Sequence, residues 1–232
     1  MLAYINVLLS LFVAVSASFN GVLADIPIEP AVIADVPVVE TAVEVNPIVE
    51  PVASNDYEVI PASIPEVPFY SQIRNISSPK WQKLSCGIAD LAMIINFYKP
   101  GAVVPDVLLM EGLAAGAFID GVGWKHQGLA DLAASYGLKG KIYGFSHLNK
   151  TEAFAALLEF LKDGPVIASV HYTFDPNSTI PHLVVINGVE GDFIYYNDPA
   201  TRGGNQKISI AGFLRGWKER IIVIRPESLA RN

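Results

Sequence analysis

The sequence predicts an α+β domain in which helices pack on an antiparallel sheet. Three observations carry that expectation. Helix-period stretches closed by glycine or proline fill the region from residue 86 to 164, β-branched and aromatic runs of strand length follow from Pro165 onward, and the two kinds do not alternate as βαβ units would. With 51% hydrophobic residues among 232, the chain holds material for one sizeable core plus additional segments.

The additional segments lie at the N-terminus. Residues 1–24 carry no charged side chain, and an apolar block from Val7 to Val15 is followed by small residues. This is the pattern of a secretory signal, with Val15-Ser16-Ala17 and Val22-Leu23-Ala24 as cleavage patterns. No Lys or Arg precedes the block, so an uncleaved membrane anchor is the alternative; either way the protein is expected to be exported, secreted or held at the cell surface. Residues 25–66 then contain seven prolines, no glycine and no basic residue. Proline stiffens such a segment and like charges extend it, which predicts a disordered, semi-rigid stalk reaching on the order of 130 Å.

The folded domain is expected over residues 67–226, followed by a short tail, 227–232. It opens on an extended segment, Val67 to Ile73, and a turn-rich stretch, Asn75 to Pro79. An amphipathic helix follows from Cys86 to Tyr98, where Pro100-Gly101 stops it. Further helices are expected over Asp106 to Gly116, His126 to Gly137 and Thr151 to Gly164, the last capped by Thr151 or Asn149. Strands are expected over Pro165 to Tyr172, His182 to Val189, Asp192 to Asp198 and Arg220 to Arg225.

Charge narrows the function. The chain is minus 7 overall, but the nine acids before the first basic residue, Arg74, leave the remainder at plus 2. A nearly neutral domain without basic clusters gives no reason for nucleic-acid binding. The single cysteine, Cys86, excludes an internal disulfide and a cysteine-rich zinc site, and it excludes a lipid anchor on an N-terminal cysteine. An unpaired thiol in an exported chain is an oxidation liability that needs a reason. Cys86 opens a helix, where the positive end of the dipole favours a thiolate; Asp90, one turn on, adds a negative charge that would oppose that thiolate if it approached the sulfur.

A nucleophilic cysteine needs a histidine base, a group to orient it, and oxyanion donors. Of four histidines, His126, His147 and His171 read as surface or loop residues. His182 differs, because a hairpin turning at Glu190-Gly191 pairs residues whose numbers sum to about 380 or 381, which opposes His182 to Asp198 or Pro199. Directly opposed side chains share a face, so Asp198 can orient the imidazole. The backbone N–H of Cys86 is one oxyanion donor, and the amide of Gln72 or of Gln82 is the second; spacing leaves both open.

Several ordered stretches carry a resemblance: VPFYSQ, then Trp81 ahead of CGIADLAMIINFY, then GLADLAASYGL, GPVIASV, HLVVINGV with YYNDPA, and Phe213-Leu214 and Trp217 before IIVI. Together they resemble the C39-like, papain-fold cysteine peptidases over about Val67 to Pro226. The resemblance implies a papain-like cysteine protease fold, with Cys86 as nucleophile, His182 as general base and acid, Asp198 as orienting carboxylate and, from the YSQ context, Gln72 at the oxyanion hole. It departs from the family pattern at Ile88-Ala89-Asp90, where proline or small residues are common. Some members are fused to exporters and cut leader peptides after Gly-Gly; this sequence has no nucleotide-binding motif, so that substrate does not transfer. A peptide or protein substrate, no metal, no cofactor and a monomeric state are expected. An amidase or acyl-transferase with the same triad, or a non-catalytic peptide- or wall-binding module, are the alternatives.

Overall fold

The computed structural model describes residues 64–230; the signal and nearly all of the stalk expected from the sequence lie outside the described residues. The chain runs through helices α1 (Pro79–Gln82), α2 (Cys86–Tyr98) and α3 (Pro105–Ala114), a two-stranded ribbon of β1 (Phe118–Ile119) and β2 (Gly123–Trp124), and helix α4 (His126–Ala134). Then come β3 (Lys139–Gly144), α5 (Lys150–Leu161), β4 (Val166–His171), β5 (Pro181–Glu190), β6 (Phe193–Asn197), β7 (Gln206–Ser209), α6 (Ile210–Gly216) and β8 (Trp217–Arg225). Six strands form one sheet in the order β3-β8-β4-β5-β6-β7, every neighbouring pair antiparallel.

Local chemistry sets the helix ends. Asn149, one of the two expected caps, accepts from the Glu152 N–H at 3.0 Å while the Glu152 carboxylate accepts from the Asn149 N–H, a reciprocal capping box. Pro105 starts α3, where a missing N–H costs nothing.

Helix α2 differs from the amphipathic expectation. Every residue from Gly87 to Asn96 is buried, because the helix lies between the sheet and α3 and α4. A helix surrounded by protein has no polar face to keep. Asn96, a polar residue in this stretch, has its amide donating to Ala92 O at 2.9 Å and Val103 O at 2.8 Å.

The sheet is covered on both faces. Ile167, Leu183, Val185, Ile222 and Ile224 point to α2, α3 and α4, whereas Val166, Ala168, Val184, Ile186, Ile221 and Val223 point to α5 and α6. This two-residue alternation splits the apolar residues into two cores, and it explains why the central strands read as continuous hydrophobic runs.

The expected absence of a βαβ unit needs correction. Strands β3 and β4 each run antiparallel to β8 between them, so they are parallel to one another and α5 connects them. Strand β3 escapes a sequence reading because Lys-Gly-Lys lacks strand propensity. Its glycine has a packing cause: a Cβ on Gly140 would meet Ala130 Cα at 2.6 Å, since α4 crosses directly over the strand. Both edge strands carry lysines, Lys139 and Lys141 on β3 and Lys207 on β7, which discourage pairing with another chain.

Candidate active site

Cys86 is the first residue of α2 and is half-buried. The chain entering it is fixed by three bonds: the Ser85 hydroxyl donates to Trp81 O at 2.8 Å, the Ala89 N–H donates to Ser85 O at 3.0 Å, and the Trp124 indole N–H donates to Leu84 O at 2.6 Å. Gly87 follows the thiol because α4 and β5 close in there; a Cβ would sit 2.8 Å from Leu129 Cδ1 and 3.2 Å from Leu183 Cδ1.

His182 is the second residue of β5 and is 6% exposed. Its Nε2 donates to Asp198 Oδ1 at 2.7 Å, and the Tyr172 ring packs edge-on against the imidazole with centroids 5.3 Å apart. The Cys86 thiol is near enough to the same ring to help raise its pKa. With Nε2 committed to the carboxylate, Nδ1 is the nitrogen left for the sulfur. Burial alone lowers the His182 pKa, but the bond to Asp198 and the neighbouring Cys86 outweigh it and push the group up to about 10.

The hairpin behind this pair is built two residues away from the expected register. The turn is Gly191-Asp192, with Gly191 at φ 55° and Glu190 paired to Phe193. Paired numbers sum to 383 there and to 382 after a bulge between Ile186 and Gly188, and pairing stops at Val185 and Asn197. Asp198 therefore is not in the ladder. It starts a turn in which the Ala200 N–H donates to its Oδ1 at 2.8 Å and the Thr201 N–H to its carbonyl at 3.1 Å, and this turn carries the carboxylate to His182.

Cys86 and His182 share a cavity of about 340 Å³. Phe118 and Trp124 form an aromatic wall, joined to Trp81 by an edge contact with Phe118 at 5.0 Å and a tilted contact with Trp124 at 6.5 Å. Leu84, Val122 and Ile180 form an apolar rim that is 41%, 67% and 56% exposed. Among the described residues no group of three His, Cys, Asp or Glu side chains could hold a metal ion.

The sequence profile of the Peptidase C39-like family matches residues 64–220. The chain belongs to the peptidase C39-like family. Its fold is similar to that of a double glycine motif protease from an AMS/PCAT transporter, solved in complex with the leader peptide: 26% identity, 72% of this chain and 97% of that one covered, TM-score 0.50. The peptidase domain of Streptococcus ComA, a bi-functional ABC transporter involved in a quorum sensing pathway, has 16% identity, with coverage of 70% and 100% and a TM-score of 0.51. A C39-like peptidase described from Bacillus anthracis has 20% identity, with coverage of 69% and 95% and a TM-score of 0.51. No curated protein matches the sequence significantly. The mixed arrangement of helices and antiparallel sheet is the papain-like fold of C39 peptidase domains.

Within this C39-like domain the two glutamines have different surroundings. Gln82 donates its side-chain amide to Ile76 O at 3.0 Å, and its backbone carbonyl accepts from Gln72 Nε2 at 2.8 Å. Gln72 is 6% exposed, its Oε1 is buried without a hydrogen-bond partner, and neither glutamine lines the cavity. Asp90 is fully buried with both carboxylate oxygens unpartnered. Desolvation, then the nearby Cys86, raises its pKa well above the ordinary value; His182 works against them, and Asp198 adds to the rise. Burial therefore works against the charge expected at this position.

His126, read from sequence as a surface residue, instead lines the cavity and lies 3.2 Å through Nε2 from Ser169 Oγ. Burial, with the Arg220 charge beside it, lowers its pKa. The glycine-rich loop leading into α4 is the available signal, since it delivers the helix start to Ser169 of β4. His171 is held by the Ser178 carbonyl at 2.9 Å through Nδ1, and His147 is exposed.

Proposed function

We propose that this protein is an exported cysteine peptidase that hydrolyses peptide bonds through Cys86, His182 and Asp198. The observation that carries the reading is that His182, which lines the same cavity as Cys86, is bonded through Nε2 to Asp198 at 2.7 Å. His182 takes the thiol proton on Nδ1, and the sulfur attacks the peptide carbonyl carbon. The tetrahedral oxyanion takes a hydrogen bond from the Cys86 N–H at the helix start. Collapse breaks the C–N bond, and the leaving amine takes the proton from His182. His182 then deprotonates a water, which attacks the thioester and releases the acid and the thiol.

Gln72 is the second oxyanion donor in this reading. Each glutamine Nε2 donates one hydrogen to a backbone carbonyl and keeps another, and Gln72 is favoured because its backbone N–H donates to Pro199 O at 2.8 Å, which sets it against the turn that carries Asp198. A peptide substrate is supported by the apolar rim beside the thiol and by the leader peptide bound to the double glycine protease. Export is supported by the uncharged apolar segment 1–24, and a tether through it by the lack of basic residues before the apolar block. Digestion of a mixed peptide library, read by mass spectrometry, tests the proposal: wild-type protein yields defined cleavage products and Cys86→Ala yields none. Equal products from both would overturn it.

A further inference from the structure

Strand β8 is interrupted beside the cavity. Its register against β4 shifts between Ala168 and Val170, where Ile221 and Trp217 are the partners, so two more residues lie on β8 than on β4. Glu219, in the middle of the extra stretch, takes φ 52°, a left-handed conformation that a non-glycine residue adopts only when its surroundings impose it. The Phe145 N–H holds its carbonyl at 2.8 Å. Bulges of this kind re-aim the side chains that flank them. Here the flanking side chains are Lys218 and Arg220, and both line the cavity that contains Cys86 and His182, while Glu219 does not.

Lys83, three residues before the thiol, lines the same cavity, and Asp120 is its single acidic lining residue. Among the described residues, none of Lys83, Lys218 and Arg220 is in an ion pair with a carboxylate. Lys218 and Arg220 are close enough that the Arg220 charge, after partial desolvation, lowers the Lys218 pKa. Lys218 is half-buried and Arg220 exposed, so water screens their repulsion only in part, and neither has a carboxylate among the described residues to offset it. An anion between them would relieve it.

We propose that Lys218 and Arg220, assisted by Lys83, form an anion subsite that takes a carboxylate of the peptide substrate next to the bond attacked by Cys86. The assignment rests on the peptidase reading for what that carboxylate belongs to, either an acidic side chain or the C-terminus of the peptide. The Ser169 hydroxyl and the His126 imidazole, both lining the cavity, supply neutral hydrogen-bonding groups beside the cations.

The test uses the full chain, whose single cysteine makes alkylation unambiguous. Cys86 is alkylated with iodoacetate, an anion, and with iodoacetamide, its neutral analogue, and the ratio of the two rate constants is taken. His182 acts on this ratio equally in every variant. The ratio is expected to fall about tenfold in the Lys218→Gln/Arg220→Gln double variant, and to fall with added salt in the wild type. A ratio that stays within about twofold of wild type in the double variant overturns the subsite whatever the salt dependence, since protonated His182 also attracts the anionic reagent. If the double variant misfolds, the single variants Lys218→Gln and Arg220→Gln carry the test, each expected to lower the ratio about threefold and each overturning the subsite if the ratio is unchanged. If both reagents react no faster than with a free cysteine peptide, the peptidase reading fails while the ratio still reports the cations.

Cleavable peptides in matched pairs, Glu against Gln and free against amidated C-terminus, identify the source of the carboxylate. The pair whose kcat/KM difference disappears in the double variant names it, and loss of neither difference overturns the proposal.

Discussion

In the proposed mechanism, with Nε2 of His182 donated to Asp198, the proton on Nδ1 is what the sulfur exchanges, and the carboxylate sets how tightly the ring holds it. Hydrolysis is therefore expected to have an alkaline limb near pH 10, where His182 loses its proton. Asp198→Asn retains an acceptor for Nε2 but removes the charge that raises the pKa, so the alkaline limb should move to lower pH while part of the activity remains; Asp198→Ala should lower kcat/KM by roughly 10²-fold or more. A limb unmoved in Asp198→Asn would exclude the carboxylate from this role. Stability carries the same signature. A folded pKa raised from 6.5 to about 10 contributes stability that is complete below 6.5 and is lost as pH rises through 10. Asp90 also holds a raised pKa, so its contribution is present below the ordinary carboxylate range and declines as pH rises toward the folded value. Asp90→Asn cannot titrate, and its denaturation midpoint should fall less between pH 4 and 8 than that of wild type, as urea melts at both pH values would show.

At the scale of elements, packing decides where the sequence was readable. Helix α5 could be read from its cap and its terminal glycine, and α2 from the proline that ends it, because those signals are local. The full burial of α2 was hidden, since nothing in a single helix states how many neighbours surround it. Strands β3 and β7 and helix α6 were missed because they are short or rich in Gly and Lys and owe their form to partners distant in sequence. His182 and Asp198 were legible as a pair although the register was not, since the two-residue turn and the bulge moved the ladder while the Asp198-Pro199 turn preserved the contact. Gly140 tests the packing account of β3. Gly140→Ala places a methyl 2.6 Å from Ala130 Cα and should cost about 1–3 kcal/mol, read as a lower denaturation midpoint, whereas Gly101→Ala meets no atom within 4 Å and bears only backbone strain.

In the whole molecule, the sheet collects what distant segments supply. Cys86 comes from a helix on one face, His182 from the start of a central strand and Asp198 from the turn beyond the next strand, while residues 67–72 lie against that turn through the Gln72 N–H to Pro199 O bond at 2.8 Å. Both cores and the cavity are formed from described residues, so residues 64–232 alone should fold and retain the kcat/KM of the full chain; a tenfold loss would show that the N-terminal segment contributes to the site. The most direct test of the central claim is the rate at which a thiol-directed acylating probe modifies Cys86 at pH 7, compared with a free cysteine peptide. The account predicts modification at least tenfold faster than the peptide in wild type and a return to the peptide rate in His182→Ala. Equal rates for wild type, His182→Ala and the peptide would contradict it.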